Sequence, residues 1–406
     1  MLEKKSDTMK YDFDEIIPRK GTNCVKHDGL KANFGADDIL PMWVADMDFR
    51  SPDFVMKAIK ERCEHEVLGY AVPGKSYWET ICDWMQRHYK INASCEELHF
   101  IPGIVAGISF AIQALTQPGD SILILTPVYP PFVNLPQNSG RRLVCSPLKE
   151  KDDHFCIDFA DLEKKAQRCK MMILSNPHNP VGTVWSKGEL QMIADICQRN
   201  GMILISDEIH ADLTLGNSPL PHTSFSTIGE AAKACSITFI APSKTFNIAG
   251  LGSSVCYIPN EELRKRYFAY LETYEVALGN IFAYVGAEAA FKEGEEWLNQ
   301  MKEYLQGNVD FLLSYCKEYL PKLRVMAPEA SYLAWLDFSN YNMSHNDVKQ
   351  TLIEQAKVAL NDGRTFSPNP YDPLTECRFR LNIGCPRQTL EEALRRIASV
   401  FEPSEK

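Results

Sequence analysis

Ser236-Ile-Thr-Phe-Ile-Ala241-Pro-Ser243-Lys244-Thr-Phe-Asn-Ile-Ala-Gly-Leu251 decides how this 406-residue chain folds. Six mostly apolar residues suited to a strand stop at a proline, and a lysine follows two residues later. The same grammar recurs upstream. Short apolar runs at 121–126, 142–146, 171–175 and 202–206 are each strand-sized, and helical stretches such as 186–199 lie between some of them. Repeated strand–helix–strand order calls for an α/β fold with a mostly parallel sheet covered on both faces. Right-handed crossovers then carry the strand C-terminal ends to one edge, where such sheets bind ligands.

Working outward, Ser51-Pro52-Asp53 reads as a capped helix start with proline in the first turn, opening a helix through Cys63. A second amphipathic run covers 76–88. A third helix begins after Pro102-Gly103 and stops near Pro118-Gly119-Asp120. Beyond about residue 290 the pattern changes. A long helical stretch, 295–318, precedes strands near 323–326, 332–337 and 378–383, with helices at 345–356 and 389–400. The expected organisation is a large α/β domain over 51–290 and a smaller α+β domain over 291–406, which the segment 1–50 joins.

Composition narrows the function classes. Hydrophobic residues at 45% and charged residues at 24% are ordinary for a globular protein. The net charge, 43 − 53 = −10, argues against nucleic acid or anionic membrane as partner and favours a small-molecule ligand. The thirteen cysteines form no C-x-x-C pair and no finger-like spacing with histidines, so no metal site is expected. They read as small hydrophobes kept reduced. The start, MLEKKSDTMK, lacks the apolar core of a signal peptide, and no run approaches a membrane span. A cytoplasmic protein is expected.

The chemistry-bearing residues sit where the strands end. Pro127-Val-Tyr129-Pro-Pro-Phe132 follows one strand, Asn176-Pro-His-Asn179-Pro-Val-Gly182 the next, Asp207-Glu208-Ile209-His210 another, and Pro242-Ser243-Lys244 the last. One edge thus collects an amide, a carboxylate, an amine and an aromatic ring. Pyridoxal phosphate (PLP) demands such a set. It needs an amine for its aldehyde and a carboxylate to keep its pyridine nitrogen protonated. It also needs a donor to its phenolic oxygen, an aromatic plate, and backbone N–H groups for its phosphate.

With those motifs in view, the chain resembles fold-type I PLP enzymes of the class I/II aminotransferase superfamily, which share an aspartate aminotransferase-like fold with a seven-stranded sheet. Its likeness is greatest to the cystathionine β-lyase branch, the MalY/PatB-type C–S lyases. The resemblance also rests on Pro41-Met-Trp-Val-Ala-Asp-Met-Asp-Phe49, Ser206–His210, Ser243–Leu251 and Arg378-Phe-Arg-Leu-Asn-Ile383. It implies that Lys244 carries the cofactor as a Schiff base and acts as nucleophile and proton carrier. It makes Asp207 the partner of the pyridine nitrogen, Asn179 the donor to the phenolic oxygen, and Tyr129 the stacking ring. Arg380 becomes the fork for the substrate carboxylate, aided by backbone at Val44 and Ala45. Ile104 and Val105, at a helix start after Gly103, are placed against the phosphate. Tyr70 resembles the tyrosine that reaches the phosphate from a second subunit, which implies a homodimer with a shared site.

Each of these residues also has a plainer reading. A lone lysine is ordinarily a surface charge, Asp207 a helix cap, Asn179 a turn former, Tyr129 and Tyr70 packed aromatics, and Arg380 a surface charge. Two features depart from the wider family. His210 stands where many aminotransferases have tyrosine, leaving a hydrogen-bond role or a structural one open. Ala241 and Gly252 stand where many relatives have a phosphate-binding serine and arginine, leaving Ser243 as a nearby hydroxyl and no replacement charge.

The resemblance implies C–S β-elimination, releasing a thiol, pyruvate and ammonia from cystathionine or another cysteine S-conjugate. The residues themselves do not separate this from transamination by an aminotransferase of aromatic or broad specificity, because the same lysine serves both. A regulatory binding protein that retains the cofactor is a third reading.

Overall fold

In the computed structural model, residues 10–151 and 154–403 are described. Seven strands form the main sheet: Leu98–Ile101 (β1), Ser121–Thr126 (β2), Arg142–Pro147 (β3), Met171–Ser175 (β4), Ile203–Asp207 (β5), Ser236–Ile240 (β6) and Ser254–Tyr257 (β7). Their order is β1-β7-β6-β5-β4-β2-β3, with β7 alone antiparallel to its neighbours. Strands β4 and β6 are buried at every residue, as a sheet covered on both faces requires. Chain order reverses between β2 and β4, because β3 lies on one side of β2 and β4 on the other. Loops leave that point in opposite directions and open a crevice at the strand C-termini.

Helices cap this sheet with recognisable chemistry. Lys187–Asn200 opens on a capping box between Ser186 and Glu189 and closes on Gly201 at φ 60°. Ile104–Leu115 opens on Gly103 at φ 141°, with no side chain capping its first N–H groups. The helix expected to begin at Ser51 runs instead over Asp53–Cys63 with Pro52 as its cap. Ser51 is engaged elsewhere, its hydroxyl donating to the Asn247 carbonyl at 2.9 Å.

A second sheet, wholly antiparallel, contains Arg324–Met326 (β8), Leu333–Asp337 (β9), Asn361–Asp362 (β10) and Arg378–Asn382 (β11), ordered β8-β9-β11-β10. The long helix Glu295–Tyr319 and the helix Arg387–Phe401 pack together beside it. Near the N-terminus, Leu40–Pro41 pairs in parallel with Val358–Ala359, and the Asn382 N–H donates to the Met42 carbonyl. No helix among the described residues is long and apolar enough to cross a membrane.

Gly182 ends the turn after β4 at φ 72°, and a Cβ there would meet the Ala330 carbonyl oxygen at 2.3 Å and Pro328 at 2.8 Å. Both sterics and the left-handed backbone therefore demand glycine. Gly182→Ala is expected to destabilise the fold by about 2–4 kcal/mol, read as a lower midpoint in urea unfolding. An unchanged midpoint would refute the close packing between this turn and the loop joining β8 to β9.

Candidate active site

Register brings the chemistry to one line. Ser175 pairs with Asp207, and Asp207 with Phe239, so β4, β5 and β6 end level. A cavity of about 230 Å³ opens beyond them, lined in part by Ala45, Tyr129, Asn179, Asp207, His210 and Lys244. Gly103, Ile104, Val105 and Ser243, also anticipated from the sequence, line it too, whereas Arg380, Val44 and Tyr70 do not.

Lys244 lies on the single helical turn Pro242–Thr245, and its Nζ donates to the Ala45 carbonyl. Burial, with the Arg380 charge nearby, lowers this amine to about 8, while Asp46 and Asp207 pull the other way. Asp207 accepts from the Ile209 N–H at 3.1 Å, yet burial still raises its carboxyl to about 7. His210 is buried, its Nδ1 has no hydrogen-bond partner, and burial beside Lys244 and Arg380 lowers it to about 3. It is therefore a neutral imidazole facing a cavity.

Arg380 lies just behind the cavity wall rather than on it. Its Nη1 donates to Asn179 Oδ1 at 2.9 Å, and Nη2 to Asn361 Oδ1 at 2.6 Å and to the Trp43 carbonyl at 3.3 Å. Its Nε is buried and unpartnered, the guanidinium lies over the Phe366 ring, and burial lowers it to about 10. Because Arg380 occupies the amide oxygen of Asn179, the Asn179 NH₂ group is the end left for the cavity.

Val44 does not line the cavity. Its carbonyl accepts from Asn382 Nδ2 at 2.6 Å, and the same amide reaches the Asp46 carbonyl at 2.7 Å. Tyr70 is fully exposed, outside the cavity, in a strip with the exposed Val67, Leu68, Val72 and Leu278. Within a single chain these two residues are not brought to the site.

Among the cavity residues that the sequence did not single out are Ser253 and Ser254, next to Gly252. The Ser253 hydroxyl is buried beside that of Tyr77 and has no partner at hydrogen-bond geometry. Gly252 holds φ 61°, a conformation that strains any L side chain, so the arginine of many relatives has no natural place here. Two adjacent serines just beyond the missing arginine were the available signal.

A match to the aminotransferase class I and II family spans residues 37–397. The chain is 40% identical to cystathionine β-lyase PatB of Bacillus subtilis, over 96% of this chain and all of that protein. Its fold superposes on cystalysin from Treponema denticola, a PLP-containing structure, with a TM-score of 0.92 at 31% identity, covering 98% of this chain and 100% of that one. The PLP-bound C–S lyase from Staphylococcus hominis gives 0.88 at 35% identity, covering 97% and 99%. The chain belongs to the aminotransferase class I and II family.

Asn247, three residues after Lys244, ties the segment bearing Ala45 in place. Its Oδ1 accepts from the Met47 N–H at 3.0 Å, and its Nδ2 donates to the Met47 and Phe49 carbonyls at 2.9 and 2.8 Å. Asn247→Ala should cost about 2–4 kcal/mol by leaving these groups unpaired, measured by urea unfolding. Loss of less than about 0.5 kcal/mol would mean that the segment holds itself without this amide.

Proposed function

We propose that this protein is a PLP-dependent C–S β-lyase, cleaving cystathionine or a related cysteine S-conjugate to a thiol, pyruvate and ammonia. The observation that carries the reading is one buried cavity holding Lys244, Asp207 and Asn179 at level strand ends, in a chain 40% identical to a cystathionine β-lyase throughout.

The donor set fits the cofactor. Asp207 is a buried carboxyl lacking a cationic partner within hydrogen-bond reach, suited to a pyridine N–H. The Asn179 NH₂ group suits the phenolic oxygen, and Tyr129 offers its ring from the adjacent loop. The orphaned Ser253 hydroxyl and the uncapped N–H groups at Ile104 and Val105 suit the phosphate, with Ser243 at the same wall. His210 Nδ1 is a further unpartnered polar atom available to the ring's oxygen edge. When bound, PLP supplies an electron sink that stabilises negative charge at the substrate α-carbon.

The remaining work belongs to the chain. Arg380 binds the substrate carboxylate as a planar fork, and the Ala45 carbonyl borders the same space. Lys244, with its amine lowered to about 8, is suited to remove the α-proton, which requires a neutral nitrogen near neutral pH. The Ala45 carbonyl gives that amine a resting partner between proton transfers. Departure of the thiolate from Cβ then distinguishes this reaction from transamination. Lys244, Asp207 and Asn179 belong to the 51–290 region, Arg380 to the 291–406 region, and Ala45 to the first 50 residues, which join the latter.

Purified holoenzyme given cystathionine, with no keto-acid acceptor, should release pyruvate and a thiol in equal amounts. Turnover only on adding an acceptor would establish an aminotransferase instead. Arg380→Lys should raise KM and lower kcat/KM on the order of 100-fold, because an ammonium cannot reproduce the bidentate fork.

The exposed strip around Tyr70 supports a homodimer in which Tyr70 completes the partner's phosphate site. Mixing inactive Tyr70→Ala and Lys244→Ala chains should then restore activity through hybrid dimers that hold one intact site. No recovery after confirmed subunit exchange would place Tyr70 elsewhere.

Removing the cofactor has a pH signature. In the stripped protein, folded Asp207 keeps its proton up to about 7, whereas the unfolded chain loses it near 3.8. The folded state binds more protons across that window, so its stability falls as pH rises through it. A ring cation beside Asp207 removes this penalty. The melting-temperature gap between loaded and stripped protein should therefore widen between about pH 4 and about pH 7. A gap that is constant or narrows would contradict the Asp207 assignment.

A further inference from the structure

Cys82 and Cys95 stand with their sulfurs 3.8 Å apart, the first on the helix Lys75–Trp84 and the second opening the 3₁₀ turn Cys95–Glu97. We propose that they are a redox-active pair, a site where the protein is oxidised by peroxide to an intramolecular disulfide. A disulfide needs about 2.05 Å between sulfurs, so closing the gap asks each sulfur to move about 0.9 Å. That lies within side-chain rotation.

The two thiols have different roles. Cys95 is exposed and open to a small oxidant, whereas Cys82 is partly buried. Burial, with Cys95, Glu97 and Glu79 close by, raises the Cys82 thiol to about 12, which keeps it protonated until it is used. In the first step the Cys95 thiolate attacks a peroxide oxygen and the O–O bond breaks. Hydroxide leaves and takes up the proton lost by the thiol, giving water and a sulfenic acid on Cys95. In the second step Cys82 attacks that sulfur, the S–O bond breaks, and the thiol proton departs with the hydroxyl as a second water. Two thiols and one hydrogen peroxide become one disulfide and two waters.

The cross-link would act on the active site's support. The segment between the cysteines carries Trp84 and Tyr89, whose indole N–H and hydroxyl donate to Asp212 Oδ1 at 3.2 and 2.7 Å. Asp212 Oδ2 accepts from the hydroxyl of Thr245, the residue after Lys244, at 2.9 Å. A bond from 82 to 95 therefore ties the ends of the loop on which the lysine's own turn leans.

The test is peptide mapping of holoenzyme after brief hydrogen peroxide treatment and alkylation under denaturing conditions. A cross-linked 82–95 peptide is expected, with the alkylatable thiols falling from 13 to 11 (13 − 2) and returning on reduction. Cys82→Ser should leave a Cys95 sulfenic acid that dimedone traps, and Cys95→Ser should leave Cys82 alkylatable. The oxidised wild-type protein should melt a few degrees higher than reduced protein, with no such rise in Cys95→Ser. Alkylation of both thiols, over-oxidation of Cys95 beside a free Cys82, or a bond between chains would overturn the site. An unchanged melting temperature of the cross-linked protein would overturn the restraint on the loop.

Discussion

Buried backbone outside helix and sheet must still find hydrogen-bond partners, and the segment from Trp43 to Phe49 crosses the active site almost without regular structure. It finds those partners in side chains that flank the chemical groups. Asn247, close behind Lys244, holds Met47 and Phe49, and Asn382, two residues after Arg380, holds Val44 and Asp46. The Ala45 carbonyl between them receives both Lys244 and the Tyr332 hydroxyl, the latter at 3.0 Å. The elements bearing the lysine and the arginine are thus fastened to one strip of chain, and their spacing is set by its hydrogen bonds.

Behind this strip lies an electrostatic frame of the same origin. Arg19 bridges Asp46 and Asp48, and the fully buried Lys26 reaches Asp48 at 2.7 Å. Two cations and two carboxylates compensate one another, which a buried lysine requires. Within the cavity the balance is left incomplete. Asp207 and Lys244 are both displaced toward their neutral forms by burial, and His210 is held neutral. Such a site pays for its unpaired groups until a charged, multidentate ligand supplies their partners.

Much of this was legible in the sequence because level strand ends follow from short apolar runs closed by proline, asparagine or aspartate. The runs ending at Thr126, Ser175, Ser206 and Ala241 fall within a residue of the observed strands β2, β4, β5 and β6. Less legible were β1 and β7, Leu-His-Phe-Ile and Ser-Val-Cys-Tyr, which are too short to show a period and are defined by pairing with each other. The helix Ile281–Glu293 was hidden for another reason: it is apolar on most sides, being packed against both Asp53–Cys63 and Lys75–Trp84. At the cavity wall, Ser253 was missed because its position depends on a loop geometry that no motif encodes. Arg380 was singled out as a candidate, but its place behind Asn179 depends on how β11 meets the main sheet, which single-chain patterning does not reveal.

Borohydride reduction of the holoenzyme followed by peptide mapping asks whether Lys244 is the covalent anchor proposed for the cofactor. A stable pyridoxyl-phosphate adduct is expected on the peptide containing Lys244, with no reducible yellow chromophore in Lys244→Ala. An adduct on a different lysine, or a reducible chromophore that survives Lys244→Ala, would contradict it.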